Sequence, residues 1–140
     1  AHEIQGNIAI ENSFNRVGLD HVVLVKVAST AVVFKMLGLT REQTVDAISR
    51  LRPDLAFIGT NGVSASFGLS TPDPDEAAVK RAVIAAARRT IVACDAEKFD
   101  AELLISFGGL DDVDILVADA APSGELSAAL ADADAEVWTP

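Results

Sequence analysis

The sequence predicts an α/β fold: a small open sheet of about four mostly parallel strands, flanked by helices, with an all-helical N-terminal segment covering its edge. Three observations predict it. Residues 53–140 alternate short apolar runs with helical patterns. Asp73-Pro-Asp-Glu76 is a helix start set between two such runs. Charge breaks sharply along the chain. Residues 1–52 hold six basic and five acidic side chains, net +1, whereas residues 53–140 hold five and sixteen, net −11. We therefore expect a helical segment over 1–52 and an α/β part over 53–140, folded as one compact unit.

Element by element, residues 1–16 place Ile4, Ile8 and Ala9 on one helical face. Gly18 marks a turn. Residues 21–37 are rich in Val, which favours a strand, but the length and the Ala-rich continuation to Gly38 favour a buried helix. Thr40-Arg-Glu-Gln43 is a capping box that opens a helix whose apolar stripe is Val45, Ile48 and Leu51, ended by Pro53. Asp54-Leu-Ala-Phe-Ile-Gly59 reads as a strand buried on both faces. A loop is expected over 60–72. The helix begun at Asp73 and Pro74 is expected to run to about Arg89, with Arg88 and Arg89 at its negative pole. Strands follow at 90–95 and 114–119, a helix at 123–131 and a last strand at 136–139.

Bulk properties narrow the function. The net charge of −10 argues against non-specific binding of nucleic acid, which requires Lys and Arg to neutralise phosphates, and permits an acidic face for a basic partner. The longest apolar run, 19–39, contains Asp20, His21, Lys26 and Lys35, so no membrane span is expected. No basic region leads an apolar stretch into a cleavage site, which points to a cytoplasmic protein. The single Cys94 excludes an internal disulfide and reads as a buried strand thiol. No metal site and no cofactor are expected.

Asp54-Leu-Ala-Phe-Ile-Gly-Thr-Asn-Gly62, then Gly68-Leu-Ser-Thr-Pro-Asp-Pro-Asp-Glu-Ala-Ala-Val-Lys-Arg81 and Cys94-Asp-Ala-Glu-Lys-Phe99, resemble the effector-binding domain of DeoR-type sugar-metabolism repressors. The resemblance covers residues 53–140. It implies a Rossmann-like sheet and the sensing of a phosphorylated sugar. Local chemistry agrees with this: Gly59, Thr60, Asn61 and Gly62 follow a strand at its carboxyl end, where open α/β sheets bind ligands. Glu76 and Lys80, four apart on one helix face, can pair or grip a polyol. Asp95 ends a strand, and Lys98 offers a point charge for phosphate. Glu97 stands where that family has Ser. No winged helix-turn-helix is recognisable, so direct DNA binding is not expected.

Ala1-His-Glu-Ile-Gln-Gly6, Asn12-Ser-Phe-Asn-Arg-Val-Gly-Leu-Asp-His21 and Val25-Lys-Val-Ala-Ser-Thr-Ala-Val-Val33 are similar to an internal helical piece of the 2-methylcitrate dehydratase (MmgE/PrpD) family. That resemblance covers residues 1–51 and implies that His21 corresponds to an active-site histidine. Its chemistry suits proton transfer.

A crossover inside 44–51 keeps helical register, and a recombined or constructed origin follows most simply from the join. Helical cover of the first strand, or a homodimer through that edge or through the Val-rich helix, is expected. Three functions stand open: a non-enzymatic sugar-phosphate-sensing module, which we favour; an acidic protein that binds a basic partner or mimics nucleic acid; and a lyase remnant using His21.

Overall fold

The structure is a computed structural model that describes residue 38 and residues 40–140. The chain divides into two compact units, Ala1–Thr44 and Val45–Pro140. The helices expected at 1–16 and 21–37, and their covering of the sheet edge, lie outside the described residues, as does His21.

Helix α1 spans Arg41–Ser49. The capping box is formed: the Thr40 N–H donates to Gln43 Oε1 at 2.9 Å, and the Gln43 N–H to Thr40 Oγ1 at 3.3 Å. The helix stops short of Pro53, because the Leu51 N–H turns back to the Ile48 carbonyl at 2.9 Å.

The α/β expectation holds. Strands β1 (Ala56–Gly59), β4 (Thr90–Ala93), β6 (Ile115–Val117) and β7 (Glu136–Trp138) form a four-stranded sheet in the order β1-β4-β6-β7, with every pairing parallel. Its central strands carry Ile91, Val92, Ile115 and Leu116, none more than 4 % exposed. Strand β1 is buried through Ala56 and Ile58, while Phe57 is half-buried and Gly59 exposed, so it is less enclosed than its apolar sequence suggested. Helix α3 (Gly124–Asp132) packs Leu126 and Leu130, four residues apart, into the same core.

Two expectations are corrected. The stretch 60–72 is not a plain loop: it folds as β2 (Gly62–Ser64) and β3 (Gly68–Thr71), an antiparallel hairpin that β5 (Ile105–Gly108) extends to a second, three-stranded sheet. Nothing in the sequence reading anticipated β5. Gly68 is required at its place, since its φ is +68° and a Cβ would strike the Gly108 carbonyl oxygen. The second correction concerns helix α2, which spans Pro74–Ala86 and does not reach Arg89. Its start is as expected: Asp73 Oδ1 accepts from the N–H groups of Asp75 (2.8 Å) and Glu76 (3.4 Å). Its end is set by the neighbouring strand. The Arg88 N–H donates to the Pro53 carbonyl at 3.0 Å, and the Arg89 carbonyl accepts from Ala56 N–H at 2.8 Å, so both arginines already run extended beside β1.

Candidate functional site at the carboxyl ends of the parallel strands

The carboxyl ends of β1, β4 and β6 lie side by side, because Gly59 pairs with Ala93 and Ala93 with Val117. Three short segments leave the sheet there: 60–62, 94–100 and 118–119. They bring Asn61, Asp95, Lys98 and Asp119 to one edge.

The turn after β1 is closed by its own groups. Thr60 is buried, and its hydroxyl donates to the Gly62 carbonyl at 2.7 Å and approaches the Ser70 carbonyl at 3.2 Å. The N–H of Gly62 reaches Thr60 Oγ1 at 3.4 Å, and that of Asn61 donates to the Ser70 carbonyl at 3.2 Å. Glycine is needed at 62 because a Cβ would collide with the Ala101 carbonyl oxygen and come within 2.5 Å of Leu103 Cδ2. At Gly59 a Cβ would meet only Ala93 O at 3.9 Å, an ordinary contact. The backbone donors of 61 and 62 thus hold the turn, and the exposed Asn61 side chain is the part that faces solvent.

After β4 the chain makes a single 3-10 turn, Ala96–Lys98. The Ala96 N–H donates to Asp119 Oδ1 at 2.6 Å, which ties the ends of β4 and β6 together. Lys98 Nζ lies 3.6 Å from Asp95 Oδ1, with a side chain 37 % exposed. Cys94 stands just beyond β4 and is half-buried. Burial, reinforced by the Asp95 and Asp119 charges, pushes its thiol up to about 12, so it is a packing residue and a poor nucleophile.

Glu76 and Lys80 belong to a different neighbourhood. Lys80 Nζ is 2.6 Å from Glu76 Oε1 and 4.8 Å from the centre of the Phe107 ring, and its side chain is only 16 % exposed. Glu76 Oε2 accepts from the buried Thr71 hydroxyl at 2.7 Å. Burial opposes the Glu76 charge, but the hydrogen bonds from Lys80 and Thr71 outweigh it and hold the carboxyl below its ordinary range. The pair clamps α2 onto β3 and β5, and is linked to the Asn61 turn only through neighbouring residues of β3.

A family comparison covers most of this ground: residues 21–120 match the DeoR C terminal sensor domain. The chain belongs to the DeoR C-terminal sensor domain family. The match begins well before Pro53, inside the stretch that also carries the dehydratase resemblance. That second resemblance is found again too. A stretch of 50 residues is 84 % identical to mitochondrial 2-methylcitrate dehydratase of Yarrowia lipolytica, covering 36 % of this chain and 10 % of that protein. The 2-methylcitrate dehydratase of Escherichia coli is 80 % identical over 49 residues, 35 % of this chain and 10 % of its own. A probable 2-methylcitrate dehydratase of Saccharomyces cerevisiae is 74 % identical over 50 residues, with the same coverage as the Yarrowia protein. The chain spans about a tenth of the length of these relatives.

Within the sensor domain, a second cluster escaped the sequence reading. Ser64 Oγ donates to Glu102 Oε1 at 2.9 Å, Ser66 Oγ bonds the same oxygen, and the Phe67 N–H donates to Ser64 Oγ at 3.0 Å. The two hydroxyls lower the Glu102 carboxyl below its ordinary range. Glu102 is distant in sequence from both serines, and no local pattern could have joined them.

Proposed function

We propose that this sensor domain is a non-enzymatic, cytoplasmic ligand-binding module that takes a phosphorylated sugar at the carboxyl ends of β1 and β4. The observation that carries the reading is the position of Lys98, on the turn leaving β4, at the edge where open α/β sheets receive ligands. Lys98 supplies the positive charge for phosphate, while Asn61 and Asp95 meet sugar hydroxyls. Gly59, Thr60 and Gly62 shape the turn that presents Asn61. Glu76 and Lys80 keep β3, and with it the Ser70 carbonyl that holds this turn, fixed against α2. The family match supports the class of function, and the two family signals in one chain support a recombined or constructed origin.

Calorimetry with a panel of pentose and hexose phosphates tests the reading. Saturable heat that is lost in Lys98→Ala is expected; no heat with any of them overturns it. Light scattering on the same samples reads whether the module forms a homodimer.

A lyase remnant acting through His21 is the second reading, favoured by the high identity to dehydratases over a short stretch. Proton transfer needs a positioned partner group, and the chain holds a tenth of those enzymes' length. A dehydration assay on 2-methylcitrate with His21→Ala as control separates it: turnover abolished by the substitution would favour the lyase over the sensor.

A further inference from the structure

A strand at the margin of a sheet carries a row of N–H and C=O groups that must be bonded or blocked. Among the described residues the two sheets end on β1, β7, β2 and β5. On β2 the Val63 carbonyl accepts from the Asp100 N–H at 2.8 Å, and Val63 is bridged to Phe99. On β5 the Ser106 carbonyl accepts from the Arg81 guanidinium. On β1 the Ala56 N–H turns inward to Arg89, which leaves Phe57 as the outward residue, and Phe57 is already engaged. Strand β7 differs. It bonds β6 through the Glu136 N–H, which donates to the Asp114 carbonyl at 2.9 Å, and the Trp138 carbonyl, which accepts from the Ala118 N–H at 3.1 Å. Alternation along the strand therefore turns the N–H and C=O of Val137 away from the sheet, where no described residue meets them. All three residues of β7 are exposed. The Trp138 indole N–H donates to Glu136 Oε2 at 2.9 Å, so these two side chains share one face and Val137 takes the other.

We propose that β7 pairs antiparallel with β7 of a second copy about a two-fold axis at Val137, joining two four-stranded sheets into one continuous sheet. In that register the two Val137 residues exchange both N–H···O=C bonds and so use the groups that β6 leaves over. A register centred on Glu136 or Trp138 calls on groups already spent on β6. Centred on Val137, the pairing sets Glu136 directly opposite Trp138 of the second copy, in the closer, non-hydrogen-bonded kind of pair. Each carboxylate then meets an indole N–H, the group it already bonds within the strand, and no carboxylate stands opposite another. On the other face the two Val137 side chains, each 38 % exposed in the single chain, cover one another. Any extended segment could bond the Val137 backbone, but a second β7 also supplies the Glu136–Trp138 match on both sides of the axis. The strand is three residues long, so the contact is small and the dimer transient.

Sedimentation equilibrium of the full chain is the test, and a dimer half-formed at about 0.1 mM is expected of so small a contact. Trp138→Glu sets a carboxylate opposite Glu136 of the second copy and should weaken the dimer about tenfold. Adding Glu136→Lys to that variant puts opposite charges at the same place and should return the affinity to within about threefold of the parent. Both side chains are exposed and β7 is held to β6 by backbone bonds, so the variants keep the fold, which circular dichroism checks. Val137→Cys gives a reading that does not depend on charge. Hydrogen-bonded partners on antiparallel strands lie about 5.5 Å apart at Cα, within disulfide reach, so mild oxidation should link two copies. Leu104→Cys, at a position 76 % exposed, is the control and should link more slowly. The half-buried Cys94 is the same background in both. Four results overturn the proposal: a chain still monomeric at about 1 mM, a dimer that Trp138→Glu leaves intact, a charge swap that restores nothing, or equal linking of the two cysteine variants.

Discussion

Strands β4 and β6 of the parallel sheet bury Ile91, Val92, Ile115 and Leu116, whereas β3 of the antiparallel sheet buries Ser70 and Thr71 completely beside Leu69. Both regions exclude water, by different means. The aliphatic strands need only shape and backbone pairing. The hydroxyl-bearing strand must satisfy each polar atom, and it does. Ser70 Oγ accepts from the Leu103 N–H at 3.0 Å and lies 3.4 Å from the Gly62 carbonyl, while the Thr71 hydroxyl donates to Glu76. The polar sheet is thereby wired to the Asn61 turn and to α2, whereas the apolar sheet serves as their support.

Substitutions that strike each sheet by its own mechanism sharpen this contrast. The largest effect is expected in the apolar sheet. Leu116→Ala removes a fully buried side chain and should cost about 3 kcal/mol in urea unfolding, with no change in slope. Next comes Ser70→Ala. It leaves the Leu103 N–H without its acceptor, at a cost of about 2 kcal/mol for a loss of one oxygen. If the serine variant is as stable as the parent, hydroxyl pairing does not hold the second sheet. The smallest effect belongs to Glu76→Gln, within about 1 kcal/mol because the carboxylate is partly exposed. Its size depends on pH. A carboxyl held below its ordinary value of 4.5 adds stability above that pH and loses it as pH falls through the lowered value. The difference in melting temperature between parent and Glu76→Gln should therefore be present at neutral pH and vanish in acid.

The same contrast explains what could be read from the sequence. Ile91-Val92 and Ile115-Leu116-Val117 are apolar runs, and their strands were placed within two residues of their ends. Asp73 and Pro74 announced α2, and Thr40 with Gln43 announced α1. Strands β2 and β3 read as loop, because Gly62-Val-Ser64 and Gly68-Leu-Ser-Thr71 carry the residues that punctuate turns. Their burial depends on partners at Ala101, Leu103 and Gly108, too distant in sequence for a local pattern to register. The end of α2 was missed for a related reason: Arg88 and Arg89 suit a helix terminus, but pairing with Pro53 and Ala56 takes them. Of the candidate site, Asn61, Asp95 and Lys98 were legible by their place after strands. The diversion of Glu76 and Lys80 to Thr71 and Phe107 was not, since it required knowing that β3 and β5 exist.

An amide-resolved NMR titration with a hexose phosphate addresses the proposed ligand-binding edge itself. Shifts centred on Asn61, Ala96, Lys98 and Asp119, with the amides of β3 moving slightly, are the predicted pattern. Amides at that edge that stay put while the ligand is bound elsewhere, or is not bound at all, would contradict the assignment.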